Sequence, residues 1–67
     1  MDIGRVKYNL GRQVSYDGNT YTLTACIMRQ GKNGFRFQAE LKDNTAINSL
    51  VIADLNKVES IEVITGD

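Results

Sequence analysis

The chain has 67 residues, eight basic and eight acidic side chains, one cysteine and no histidine. This length predicts a single small domain covering residues 1–67, with a limited core and little margin of stability. A lone cysteine, Cys26, excludes an intramolecular disulfide and, without histidine, a structural zinc site. Because histidine is the usual general base, we expect no catalytic residues, no metal, no cofactor and no enzymatic activity.

Two features of the apolar pattern bear on location. Residues 1–5 contain no apolar run of the kind that a secretory signal needs. The longest apolar run, residues 50–53, has the length of one buried strand and not of a membrane span. With an unpaired cysteine as well, we expect a cytoplasmic protein that does not enter a membrane.

The charges divide unevenly along the chain. Residues 1–36 carry six bases and two acids, a net charge of +4, whereas residues 37–67 carry two bases and six acids, a net charge of −4. Such asymmetry can mark a surface for nucleic acid or for a protein partner. Alternatively, the two halves neutralise each other across neighbouring strands of one folded domain.

The first half of the chain predicts a hairpin. Apolar residues alternate over residues 3–10 between two glycines, which is too short a pattern to assign an element. Residues 14–16 then precede Asp17-Gly18, a dipeptide typical of a tight hairpin turn because glycine accepts a positive φ. The following strand, residues 20–28, is expected to place Tyr21, Leu23, Ala25 and Ile27 on one face and threonines on the other.

A second hairpin is predicted after this strand. Residues 31–34 form a glycine-bounded turn, and residues 35–41 alternate as a half-buried antiparallel strand does. Residues 43–45 predict a third turn. We expect seven side chains of the whole chain to be substantially buried: Leu23, Ile27, Phe35, Phe37, Leu41, Leu55 and Val63.

Residues 46–64 permit two interpretations. Residues 50–52 and 61–64 are rich in β-branched side chains, which favours two strands joined by a one-turn helix near residues 54–57. The spacing of Ile47, Leu50 and Val51 with later apolar residues also fits a helical stripe that begins near residues 43–45. We favour the two strands.

These elements resemble a small all-β fold, the five-stranded antiparallel barrel of the Src-homology-3-like type. The resemblance covers residues 11–64 and depends on the turn pattern of residues 11–21, the hairpin at 20–41 and the segment 50–59. The chain also resembles short uncharacterised proteins of bacterial mobile elements and phages. The resemblance implies little about function, since such barrels bind peptides, modified residues, nucleic acid or other proteins. The chain has no tryptophan, which the peptide-binding groove typically includes.

Most polar residues have a structural explanation. We expect Cys26 to be a structural, partly buried thiol, because a nucleophilic thiolate needs nearby cations. Residues 31–34 contain glycine and lysine but lack the P-loop spacing. The carboxylate pairs Glu40 with Asp43 and Glu59 with Glu62 fall on strands or turns, as on a solvated strand face.

The basic residues of the second hairpin are the candidate site. Antiparallel strands bring Arg29 and Arg36 together, and Lys32 lies at the tip, where a phosphate can bind; Arg12 is a further candidate. Most acidic residues follow position 39 and are expected to face elsewhere. Stacking surfaces for bases are expected from the three tyrosines, Tyr8, Tyr16 and Tyr21.

The sequence therefore predicts a non-catalytic binding module, with nucleic-acid contact through the basic hairpin. The alternative is a protein-interaction or homo-oligomerising module, including an accessory subunit of an enzyme, that uses an exposed strand edge or the opposed charges. A homodimer is compatible with both interpretations.

Overall fold

A computed structural model describes residues 1–45 and 49–61. In chain order these residues form helix α1 (Ile3–Asn9), strands β1 (Gln13–Tyr16), β2 (Asn19–Gly31), β3 (Gly34–Asp43) and β4 (Leu50–Asp54), a 3₁₀ turn (Leu55–Lys57) and strand β5 (Glu59–Ser60). The described strands make one antiparallel sheet in the order β4-β3-β2-β1-β5. The prediction of a five-stranded antiparallel sheet is confirmed. Its edges, β4 and β5, do not pair within the described residues to close a barrel.

Helix α1 shows that the fold is mostly β and not all-β. It begins after Asp2, whose carboxylate accepts a hydrogen bond from the Arg5 backbone N–H at 3.2 Å. One face is buried through Val6 and Asn9. The Asn9 side chain donates to the Arg5 carbonyl and accepts from the Ser60 hydroxyl, both at 2.9 Å, and so joins the helix to β5. Only two buried positions on so short a helix explain why the apolar pattern did not indicate it.

The turn between β1 and β2 has the predicted tight geometry. Tyr16 pairs with Asn19, which leaves Asp17 and Gly18 as a two-residue loop. Both have positive φ, 50° and 77°, as the turn that matches the twist of a hairpin requires. The sequence-based prediction of this hairpin is confirmed.

A bulge in β2 changes which side chains face the core. Leu23 pairs with Leu41, but the next paired residue is Ala25, opposite Glu40, so Thr24 is an extra residue. The Thr24 hydroxyl donates to the Glu40 carbonyl at 3.0 Å. Beyond the bulge the alternation predicted for β2 is wrong by one residue, because one inserted residue exchanges the two faces.

The core lies on one face of the sheet, which we call the core face, and the opposite side is the outer face. The buried residues of the core are Val6, Val14, Tyr21, Leu23, Ala39, Leu41, Ala53, Leu55 and Val58. Leu23, Leu41 and Leu55 are thus buried as predicted, whereas Phe37 and Ile27 are half-buried. Phe35 is 63% exposed, so its assignment to the core was wrong. The reason is that β2 and β3 extend beyond the core.

The ambiguous segment contains two short strands. β4 ends at Asp54 and the 3₁₀ turn follows, which confirms a strand that leads into a single helical turn. The next strand, β5, is Glu59–Ser60 and not residues 61–64 as predicted: Ile61 lies outside a strand, and residues 62–64 are not among those described. The alternative of a continuous helix is wrong for residues 50–54. Leu55 and Val58 are both buried and place the turn against the core. Val63 lies outside the described residues.

Replacement of Leu41 tests the position of the core. Leu41 has no exposed surface, and its truncation to alanine removes apolar contacts and leaves a cavity, a cost of about 2–5 kcal/mol. Leu50, 56% exposed, is the matched control, for which Leu50→Ala should change stability by about 0.5 kcal/mol or less. Urea unfolding followed by circular dichroism measures both variants. Equal midpoints for the two would contradict this placement of the core.

Candidate nucleic-acid interface

The outer half of the β2–β3 hairpin, residues 28–37, projects from the sheet and is here called the hairpin arm. β1 pairs with β2 only at residues 19–22, and β4 pairs with β3 only at residues 38–42. Within the described chain, no strand therefore lies beside the arm on either side. Its end is a two-residue loop, Lys32 and Asn33, closed by the pairing of Gly31 with Gly34. An element with so little support from neighbours is well placed to contact another molecule.

Arg29 and Arg36 lie directly opposite each other on the arm. Directly opposed residues of an antiparallel pair have Cα atoms roughly 4.5–5.5 Å apart, so the two guanidinium groups start from neighbouring positions. Both side chains are exposed on the outer face. The prediction that the hairpin brings these two arginines together is confirmed in register, and two like charges in this arrangement repel each other.

Each arginine also has a polar neighbour on the outer face. Arg29 Nε donates to Gln38 Oε1 at 2.6 Å. Arg36 Nη2 lies 3.3 Å from Asp54 Oδ1, across from β3 to β4, with the two side chains 65% and 38% exposed. The expectation that the acidic residues face away from the basic group is wrong for Asp54. At this contact, the two oppositely charged halves of the chain neutralise each other across neighbouring strands.

The remaining predicted basic residues occupy different ends of β2. Lys32 is exposed in the loop at the tip, beyond both arginines. Arg12 is exposed at the start of β1, where its carbonyl accepts from the Leu23 backbone N–H at 3.0 Å. Five residues of β2, including the bulged Thr24, lie between Leu23 and Arg29, which corresponds to about 17 Å of strand. The fold therefore brings together Arg29, Lys32 and Arg36 but not Arg12.

The exposed aromatic residue of the arm is not one of the predicted tyrosines. Tyr21 is buried, and Tyr16 is half-buried with its ring 6.3 Å from that of Tyr21. Tyr8 is exposed on α1, where Lys7 Nζ lies 5.0 Å from its ring centre. Phe35, by contrast, follows the tip of the arm directly. Sequence reasoning missed it because alternation alone does not reveal where the core ends.

Two concave surfaces meet at Arg36. One, of about 310 Å³, is formed by the tip of the arm: Gly31, Lys32, Asn33, Gly34, Phe35 and Arg36. The other, of about 430 Å³, lies between the N-terminal residues and the end of β4, with Met1, Asp2, Ile3, Arg36, Phe37, Asp54, Leu55 and Asn56 around it. Arg36 can therefore contact a ligand that occupies either concavity.

Cys26 and the carboxylates lie apart from this site. The bulge places Cys26 opposite Ala39 and against the core, and burial raises the pKa of its thiol, so the thiolate is disfavoured. Glu40 lies opposite Ala25, and Asp43 accepts from the Thr45 backbone N–H at 2.8 Å in the third predicted turn. Glu62 lies outside the described residues. Among those described, no three Cys, Asp or Glu side chains group as metal ligands do.

Comparison with known proteins gives no further guidance. No protein family, curated protein or solved structure matches the chain significantly. In the described part of the chain, no helix has the length and apolar character needed to cross a bilayer. The charges and the geometry of the arm are therefore the features from which a function can be inferred.

Reversal of one arginine tests the repulsion within the arm. Arg29→Glu places a carboxylate opposite Arg36, whereas Arg29→Gln removes the charge alone, and both variants lose the hydrogen bond to Gln38. We expect the glutamate variant to be more stable than the glutamine variant by about 0.2–1 kcal/mol at low salt. In 1 M salt the difference should largely disappear, because exposed charges are screened.

The matched control uses Lys42, an exposed residue of β3 that lies opposite Thr22 and Leu50. Because neither residue opposite Lys42 is charged, the variants Lys42→Glu and Lys42→Gln should unfold at similar urea concentrations. Equal stabilities of the two Arg29 variants at low salt would show that the opposed arginines do not interact.

Proposed function

We propose that this chain is a non-catalytic nucleic-acid-binding module that holds phosphate groups with Arg29, Lys32 and Arg36 of the hairpin arm. The observation that carries the proposal is the direct opposition of Arg29 and Arg36. Two exposed cations on directly opposed residues repel each other, and an anion bound between them would offset that repulsion. A phosphate group supplies that anion, and guanidinium groups bind its oxygens with paired hydrogen bonds.

The polar neighbours of the arginines do not prevent this contact. The Arg36–Asp54 ion pair is exposed on both sides, and such pairs contribute little free energy in water. A phosphate can therefore compete with Asp54 for Arg36. Because Asp54 opposes the anion, however, the affinity should be weak and should depend strongly on salt. Because the one helix among the described residues has only seven residues, too few to read a major groove, contacts to phosphates imply little sequence preference.

The fold remains compatible with the Src-homology-3-like resemblance. The 3₁₀ turn between β4 and β5 and the buried Leu55 within it support that assignment. We propose in addition that the sheet belongs to a barrel of this type and that the protein is cytoplasmic. Binding folds of this class take many ligands, so the function is argued from the arm and not from the fold.

The central test is the titration of short labelled oligonucleotides, single-stranded and double-stranded, at several salt concentrations. Three phosphate contacts predict that the affinity falls about 20- to 40-fold between 50 and 200 mM salt. The triple variant Arg29→Ala/Lys32→Ala/Arg36→Ala should lose this binding. Equal affinity of the native chain and the triple variant, or no binding by the native chain at low salt, would overturn the proposal.

Removal of the Asp54 carboxylate, which competes with phosphate for Arg36, should increase the affinity for nucleic acid, whereas the triple variant decreases it. Asp54→Asn should tighten binding about two- to fivefold, because Arg36 no longer has an anionic partner within the chain. Asp17→Asn is the matched control, since Asp17 is exposed in the β1–β2 turn and the net charge changes equally. Fluorescence anisotropy with the same oligonucleotides measures both. An equal gain in the two variants would indicate an effect of net charge and not of the arm.

A second candidate function is self-association through β4. This strand is an edge of the described sheet, and its outer face exposes Leu50 and Ile52, at 56% and 48%. An exposed apolar edge strand favours pairing with another chain.

We expect sedimentation of the native chain to give a mass that rises with protein concentration, and Leu50→Lys/Ile52→Lys to remain monomeric, since lysine on an edge opposes pairing. Leu10→Lys, at a residue 46% exposed after α1, is the control that should not change the association. A monomer mass at every concentration of the native chain would exclude this candidate.

A further inference from the structure

Phe35 is an apolar ring placed in solvent beside three cations. It is 63% exposed and follows Gly34 at the tip of the arm. Its ring forms no aromatic pair or cation–π contact with another described residue. Both faces of the ring therefore lack an aromatic neighbour within the described chain, and the exposed ring contributes little to the core.

We propose that the tip of the arm binds single-stranded nucleic acid, with one nucleobase stacked on Phe35 while Lys32 and Arg36 hold the neighbouring phosphates. This inference depends on the proposed function and specifies its substrate. A base within a duplex has its faces covered by its neighbours, so an aromatic side chain reaches the face of a base in a single strand.

The geometry of the tip fits one nucleotide. Phe35 and Arg36 are consecutive residues of β3, so their side chains leave opposite faces of the strand, and both border the same concavity of about 310 Å³. Lys32 borders it from the loop. An aromatic surface and two cations around one concavity match the base and the phosphates of a nucleotide.

The two glycines that bound the loop at the tip differ in the space around them. Gly34 has a φ of +124°, a conformation that other residues rarely adopt, and a Cβ built there would meet no atom within 4 Å. At Gly31 a Cβ would lie 3.2 Å from the Gly34 carbonyl oxygen. A side chain at position 34 would therefore point into open space, whereas one at position 31 would meet the loop backbone and Arg36.

The surroundings of Phe35 favour an anionic partner over an apolar protein surface. The other strongly exposed apolar side chain of the arm is Met28, 61% exposed, and Arg29, Lys32 and Arg36 lie close to both in the strands. Phe35 and Met28 form only a small apolar patch on one face of a narrow arm, and a partner that covered it would also have to bury the nearby cations, which is costly against an apolar surface. A nucleotide provides both a π surface and compensating negative charge.

Phe35→Trp supplies a direct probe, because the chain contains no tryptophan. The new indole is the only one in the molecule, and stacking on a base should quench its fluorescence when oligothymidylate is added. This variant should bind as tightly as the native chain or more tightly. Titration with a duplex of the same length should leave the fluorescence nearly unchanged.

Phe35→Ala measures the contribution of the ring. Stacking on one base predicts a loss of about five- to a hundredfold in affinity for oligothymidylate. On an abasic strand of equal length the native chain and Phe35→Ala should bind equally, because that strand retains phosphates but has no bases. Met28→Ala is the matched control, exposed to the same degree on the same hairpin, and should keep the native affinity for both strands.

The outcomes separate this inference from the proposed function. If Phe35→Ala keeps full affinity for oligothymidylate while the triple variant of the cations loses it, the stacking inference is overturned and the proposed function stands. Equal losses on oligothymidylate and on the abasic strand, or equal losses in Phe35→Ala and Met28→Ala, also overturn it. No binding of any strand by the native chain at low salt overturns both proposals.

Discussion

The pairing of β2 with β3 is the interaction on which the rest of the structure depends. These are the longest strands described, and their inner halves carry Leu23 and Leu41, which meet in the core. Their outer halves continue beyond β1 and β4 and become the hairpin arm. One antiparallel register therefore builds both the buried centre of the domain and its projecting surface. A change in that register would alter core packing and the relative positions of Arg29, Lys32 and Arg36 together.

The bulge at Thr24 determines how the two faces of the arm differ. Before the bulge, Leu23 faces the core; after it, Cys26 does, and Arg29 is carried to the outer face opposite Arg36. If Thr24 were instead paired with Glu40 in a regular ladder, Arg29 would lie opposite Phe35, on the face that holds Phe37. The local insertion thus separates a charged face from an aromatic face on the same two strands. That separation lets one arm offer phosphate contacts and a stacking surface to the same ligand.

Local sequence patterns predicted the strands and turns of the hairpins well, but they predicted less well how the strands pair and pack against one another. The Asp17-Gly18 turn, the strands on either side of residues 31–34 and the single helical turn after Asp54 all follow from short-range preferences and are confirmed. The bulge leaves no mark in the alternation of apolar residues, so the outer half of β2 was assigned to the wrong face. How far the core extends along β3 depends on how far β4 runs beside it. The sequence of β3 does not reveal this, so Phe35 was wrongly assigned to the core. Asp54 becomes a partner of Arg36 only through the order of strands in the sheet.

The central claim is that the hairpin arm is the surface that binds a nucleic-acid strand. A titration of the ¹⁵N-labelled chain with oligothymidylate, followed by amide chemical shifts, locates that surface without any substitution. The account predicts that the largest shifts fall within residues 29–36, including the amides of Gly31 and Gly34 at the tip, and that they reverse when salt is added. Largest shifts on α1, at Arg12 or along β4, or no shifts at low salt, would contradict the account.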